Sequence, residues 1–228
     1  SSVRRSQHEV CIFTRQFICR RWGDINNIVS NYTPYINGWE KFKRASVTIP
    51  LVKYNDSLHV LFEVRAKTLR TQPNEVCFPG GKIENDENPL NTALRETCEE
   101  IGLLEDKIKV ISPLDIFISP YNIIIHPYLV VIEDINNMKL NVEEVAEVFF
   151  VPLDFLLNTN VNTFVNKITI SPDENFPYEL IPTKHNYKFS TGSYEVPFYI
   201  YNDYVIWGIT AKILRNFLSY LKQRNYHY

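Results

Sequence analysis

Glu87, Arg95, Glu96, Glu99 and Glu100 bring four carboxylates and a guanidinium into fourteen consecutive positions of a 228-residue chain. Gly81 precedes them and Gly102-Leu103 closes the run, giving the spacing G-x5-E-x7-R-E-x-x-E-E-x-G followed by an aliphatic residue. Carboxylate oxygens at this density suit a hard divalent cation. A cation held there suits hydrolysis of phosphate esters and anhydrides, where charge on the substrate repels the nucleophile.

A helix must carry most of these groups. Asn88 is a good N-cap, Pro89 a good first helical residue and Gly102 a natural stop, which predicts a helix over Pro89–Ile101. Leu90, Leu94, Thr97 and Ile101 then face the core with Ala93 beside them, and Glu96, Glu99 and Glu100 lie around the other side. Such a helix is placed against its own electrostatics. Glu96 and Glu100 are one turn apart, and like charges at that spacing cost roughly 0.2–0.5 kcal/mol. Anions near a helix C-terminus cost roughly another 0.3–1 kcal/mol each. A solvated acidic face is the usual meaning of a charge run. Here, however, seven specified positions would match by chance in only about one chain in a million.

Residues 81–103 resemble the Nudix box, the signature of a large hydrolase family; Thr97 stands where the family has an aliphatic residue. The resemblance implies an α/β (α+β) fold in which a mixed β-sheet is sandwiched between helices. It also implies Mg2+ or Mn2+ as cofactor and a nucleoside diphosphate linked to another group as substrate. Upstream, Leu61, Arg65, Ala66, Arg70, Phe78, Pro79, Gly80 and Gly81 are similar to the motif of the coenzyme A diphosphatase branch. Phe62 replaces a leucine of that motif and Asn74 a glycine, and Asn tolerates the left-handed backbone the glycine would adopt. Residues 205–214 also resemble that branch's terminal helix.

The roles expected within that frame are specific. Glu96 and Glu100 are metal ligands and Glu99 is a third ligand or the base. Arg95 orients Glu96, and Glu87 supports the loop. Glu143, Glu144 and Glu147 follow in a later segment, and Glu144 is the choice for an extra acid acting as base or ligand. Arg65 and Arg70 contact phosphate, since guanidinium groups match such anions with paired hydrogen bonds. Gly80 and Gly81 let the backbone approach metal and phosphate. Phe78 belongs to the core, and Thr97 makes only a small packing difference. Cleavage of coenzyme A or an acyl-CoA would yield 3′,5′-ADP and (acyl-)4′-phosphopantetheine, with an acyl groove supplied by Phe164, Phe176, Tyr178 and Tyr187. One alternative is a Nudix hydrolase for ADP-ribose, NADH or a dinucleoside polyphosphate. Another is a nucleotide-sensing module without hydrolysis, which would be expected to lose box acids that this chain keeps.

The rest of the chain bounds these readings. A length of 228 residues, 45% hydrophobic, suits one domain with a sizeable core. The net charge of −2 favours no polyanionic nucleic acid partner, and no apolar run reaches membrane-spanning length. Cys11, Cys19, Cys77 and Cys98 show no C-x-x-C spacing and are expected reduced, in a cytoplasmic protein. The only methionine is Met138, so Ser1 is expected to follow processing. Residues 1–34 are read as an arginine-rich extension of unknown role and 35–228 as the hydrolase domain. Asp24 to Tyr32 is expected as a short helix. Strands are expected over Ala45–Lys53 and Leu58–Arg65 around an Asn55-Asp56 hairpin, then Ile108–Ile118, Ile123–Ile132, Val145–Val151 and Phe198–Ile200. Leu153–Leu157 reads as a short helix, 158–196 as loops with short strands, and Tyr204–Lys222 as a long amphipathic helix.

Overall fold

The computed structural model describes residues 36–85 and 87–224. The expected helix at Asp24 to Tyr32 and the arginine-rich segment lie outside them. Ile36–Lys41 belong to the first of two compact units and carry a single 3-10 turn at Trp39–Lys41. The second unit starts at Phe42 and holds every other element described below.

The first hairpin joins β1 (Lys43–Tyr54) to β2 (Ser57–Arg65), whose His59–Glu63 are buried on both faces. Asn55 and Asp56 join them at φ 48° and 60°, the left-handed pair that a two-residue hairpin turn requires. Short β3 (Val76–Cys77) pairs with β2, and β4 (Gly80–Lys82) pairs antiparallel with the start of β1. The box helix α1 (Pro89–Ile101) follows. Then come β5 (Ile108–Pro113), β6 (Phe117–Ser119), β7 (Ile123–Ile132) and β8 (Val145–Pro152). β7 runs parallel to β1 while every other pairing in this eight-stranded sheet is antiparallel, so the sheet is mixed.

Beyond it lie α2 (Leu153–Asn158), β9 (Asn162–Ile168), β10 (Gly192–Tyr201), β11 (Tyr204–Trp207) and α3 (Gly208–Gln223). Strands β9 to β11 form a second, three-stranded antiparallel sheet. Two apolar layers cover the main sheet. On one face, Leu94 and Ile101 of α1 pack with Val52, Leu61, Val130 and Ile132. On the other, Leu214 and Phe217 of α3 and Leu156 of α2 pack with Ile49, Phe62 and Phe149. The architecture is thus a mixed sheet between helices.

Three expectations are corrected. Ile108–Ile118 is two strands: the register with β7 shifts between Val110 and Ser112, and after Pro113 only the Leu114 amide continues the ladder, to Pro127. The long C-terminal helix begins at Gly208, because Tyr204–Trp207 is a strand in a tight hairpin with β10. Ile206 and Ile209 fit either period, and Gly208 at φ +63° is the joint between them. Residues 158–196 hold a seven-residue strand, β9, whose first six residues are all exposed, so it carries no alternating burial signal.

Candidate active site

Helix α1 has the boundaries its sequence dictates. The Asn88 side chain accepts the Leu90 amide at 2.9 Å. Gly102 stops the helix at φ 67°, its amide donating to Cys98, where an added Cβ would run into the carbonyl of Lys139. Thr97 does more than pack. Its hydroxyl donates to the Ala93 carbonyl at 2.7 Å, which leaves the Thr48 hydroxyl of β1 to donate to it at 2.9 Å. Both threonines are fully buried, so this pair pins α1 to the sheet through a satisfied polar contact.

The acids divide into an outer and an inner group. Arg95 organises the outer one, reaching Glu87 through Nε at 3.3 Å and Nη2 at 3.2 Å, Glu96 at 2.9 Å and Glu99 at 3.2 Å. Glu87 also accepts the Thr92 hydroxyl at 2.9 Å. These contacts hold the Glu87 carboxyl below its ordinary range, the Arg95 bond being the main cause and Thr92 the next. Glu87 thus ties the loop to the helix.

Glu100 belongs to the inner group, which corrects its expected place on the solvated side. It is 4% exposed, since position 100 lies three residues after Thr97 and so on the edge of the core-facing stripe. Its Oε2 accepts the Gly80 amide at 2.8 Å. Burial pushes its carboxyl well up, and repulsion from Glu63 adds to that. Burial also raises Glu96, against the opposing pull of Arg95.

Glu63 was not among the sequence candidates. It is 1% exposed on β2, with Oε1 accepting the Cys77 thiol at 3.1 Å and Oε2 buried without a partner. The signal was present: an acid interrupts the apolar run Val60–Val64 within a strand.

The glycines fit tightly. A Cβ on Gly81 would collide with the Glu96 carboxylate. One on Gly80, which sits at φ +146°, would strike the Ser46 carbonyl and Val47 backbone. Arg65 lies half-buried at the end of β2, its Nε without a partner, where the pairing with β8 slips between Val64 and Arg65. Asn74 adopts φ 59°, the left-handed conformation the missing glycine would supply. Arg70 is exposed on the loop between β2 and β3 and makes no hydrogen bond or ion pair with a described residue.

Glu144 comes close to the inner acids through its backbone. Its carbonyl accepts the Ala66 amide at 2.8 Å, and the neighbouring Asn141 amide donates to the Glu100 carbonyl at 2.9 Å. Its charge raises Glu63, Glu96 and Glu100 alike. Glu143 is exposed on the same turn, and Glu147 is exposed on β8. Phe78 is buried and stacks on Phe62 at 4.9 Å, as its core assignment requires.

The aromatics expected to line a groove contact neighbouring rings. Phe176, Tyr178 and Tyr187 cluster around Phe189 and His185, and Phe164 stacks edge-on against Phe198. A cavity of about 570 Å³ flanks the Asn74 loop instead, lined by Val64, Glu75, Tyr204, Val205 and Trp207. A larger one, about 620 Å³, lies between the β5–β6 segment and α3, on the sheet face opposite the acids.

The donor set fits a divalent cation in chemistry: clustered carboxylates, two of them buried, mutually repelling, with one buried oxygen unsatisfied. Among the described residues no three acidic, histidine or cysteine side chains yet converge on one point. Glu96 is paired with Arg95 and Glu100 with the Gly80 amide.

The NUDIX domain family model matches residues 43–169. The peroxisomal coenzyme A diphosphatase of Mus musculus is 38% identical over 117 residues, covering 51% of this chain and 50% of that protein. Nudix hydrolase 3 of Caenorhabditis elegans is 30% identical over 181 residues, covering 77% and 72%. The mitochondrial coenzyme A diphosphatase of Mus musculus is 31% identical over 173 residues, covering 74% and 73%. The match thus spans about half the length of the first of these relatives.

Proposed function

Because the chain belongs to the Nudix hydrolase family, whose members use divalent metal ions on nucleotide-derived small molecules, we propose that its substrate is coenzyme A or an acyl-CoA. Hydrolysis of the diphosphate bond would give 3′,5′-ADP and (acyl-)4′-phosphopantetheine. The observation that carries this reading is Arg65. It stands half-buried on the helix-facing side of β2, with a buried Nε that no described residue satisfies. A guanidinium with spare donors beside the box is suited to an anionic oxygen of a phosphorylated substrate. The identity to two coenzyme A diphosphatases supports the same choice. Arg70, exposed on the adjoining loop, is assigned to an outer phosphate.

Glu96 and Glu100, with Glu99, would hold the cation, Mg2+ or Mn2+. When bound, it neutralises the diphosphate and lowers the pKa of water. The remaining work belongs to the chain. Arg95 fixes Glu96, Glu99 and Glu87 relative to one another. Gly80 directs its amide to Glu100, and Gly81 leaves room for the Glu96 carboxylate. Glu99 takes the proton of the attacking water, with Glu144 as the second acid able to do so; both are exposed and therefore reachable by solvent. The attacking oxygen bonds to phosphorus as the bridging P–O bond breaks.

We assign the hydrolase domain to 35–228 and 1–34 to an extension of unknown role. A cytoplasmic location is part of the same proposal, supported by free thiols at Cys77 and Cys98. No helix among the described residues is long and apolar enough to cross a membrane.

A Mg2+- and Mn2+-dependent hydrolysis screen of coenzyme A, acyl-CoAs, NADH, ADP-ribose and a dinucleoside polyphosphate, with products identified by mass, tests the substrate. Coenzyme A cleaved to the two named products is the expected result. Coenzyme A left intact while ADP-ribose or NADH is cleaved overturns it.

A further inference from the structure

We propose that Glu63 is a further oxygen ligand of the divalent cation, presented to the site from β2 rather than from the box. The inference rests on the metal-dependent reading above and adds a residue that neither sequence motif specifies.

Placement comes from the strand. Side chains two apart on β2 share a face, so Leu61, Glu63 and Arg65 point the same way. Leu61 packs with Leu94 and Ile101 of α1, so that is the face the box helix covers. Glu63 is opposite Cys77 in the β2–β3 register, three residues before the Gly80 amide that holds Glu100.

The state of the two oxygens is the second observation. Oε1 is fixed by the Cys77 thiol, whose proton burial holds in place. Oε2 is buried and has no hydrogen-bond partner. A thiol is a weak donor, and a single weak bond cannot offset the desolvation of a carboxylate that is 1% exposed. Arg65 eases the charge from two residues away without bonding it. A residue serving only to pack β2 against α1 would be apolar, like Leu61 before it. A carboxylate with one oxygen anchored and one left open is what a metal ligand with an outer-shell partner looks like.

The test is Mn2+ binding to the whole chain, followed by calorimetry and by the paramagnetic resonance signal of free Mn2+, for wild type and Glu63→Gln. Thermal unfolding is recorded with and without Mn2+. E63Q is expected to fold as well as wild type without metal, to bind Mn2+ about 10- to 100-fold more weakly, and to lose most of the thermal shift that Mn2+ confers. Unchanged Mn2+ affinity and stoichiometry in E63Q overturn the proposal while leaving the metal-dependent reading intact. Failure of the wild type to bind Mn2+ sinks that reading itself. Should E63Q not fold, Glu63→Met, which removes both oxygens at similar volume, is read the same way. Loss of fold in both variants marks Glu63 as purely structural and overturns the ligand role.

Discussion

The Gly80 amide donates to Oε2 of Glu100 at 2.8 Å, joining the glycine pair that ends the upstream motif to the last turn of the box helix. Two segments twenty residues apart are thereby one site. A side chain at Gly80 would meet the β1 backbone at Ser46 and Val47, whereas one at Gly81 would meet only the movable end of Glu96.

Gly80→Ala and Gly81→Ala should therefore separate stability from activity. At Gly80 the added carbon meets backbone at Ser46 and Val47, and φ +146° is nearly closed to alanine, so G80A should lose about 1–3 kcal/mol of stability. At Gly81 it meets only the end of the Glu96 side chain, which can swing away. G81A should unfold near the wild-type midpoint yet hydrolyse substrate at least ~10-fold more slowly. Chemical denaturation and steady-state rates measured on the same preparations check the split; the reverse pattern would refute the geometry.

Stability of the metal-free protein should fall as pH rises. Burial raises Glu63 to about 7 and Glu100 to about 9, with mutual repulsion contributing to Glu100. A carboxyl raised in the folded state binds more protons there than in the unfolded chain. The stability it contributes is complete below the unfolded value and is lost as pH climbs through the folded one. The midpoint of thermal unfolding should thus decline between about pH 5 and pH 9. Glu100→Gln should flatten the decline while abolishing turnover, and a midpoint that rises over this window would contradict the burial of these acids.

The Thr48–Thr97 hydroxyl pair makes a prediction independent of catalysis. Thr97→Val gives the box its usual aliphatic residue but strands the Thr48 hydroxyl in the core, at a cost of about 1–3 kcal/mol. Thr48→Val with Thr97→Val removes both partners and should recover most of that loss. Equilibrium denaturation of both variants decides it; additive losses would mean that the hydroxyls are not coupled.

Arg65→Ala should raise KM for coenzyme A more than it lowers kcat, because its proposed contact is with a substrate phosphate and not with the reacting water. Arg95→Ala should instead lower kcat by at least ~10-fold, since it releases Glu87, Glu96 and Glu99 together. Equal effects on kcat from the two substitutions would undo this division of roles.

Local chemistry made much of this protein legible in its sequence. Asn88, Pro89 and Gly102 fix the ends of α1, because capping depends on residues within one turn of the helix end. Asn55-Asp56 fixes the first hairpin and Asn74 its left-handed turn, since both are backbone preferences of single residues. The spacing of the helical acids pointed to a cation for the same reason, Glu96, Glu99 and Glu100 lying within little more than one turn.

Tertiary structure decided what depends on distant chain. Ile206 and Ile209 suit strand and helix equally, and only pairing with β10 makes 204–207 a strand. Glu100 looks solvated on a helical projection, yet in the fold it is buried with its carboxylate on the Gly80 amide of β4. Glu63 reads as an odd acid in a strand until the fold buries it against β3, bonded to Cys77 and with its other oxygen unsatisfied. Sequence period reports which residues share a face; only packing reports what that face meets, and the energy of a buried charge depends on that meeting.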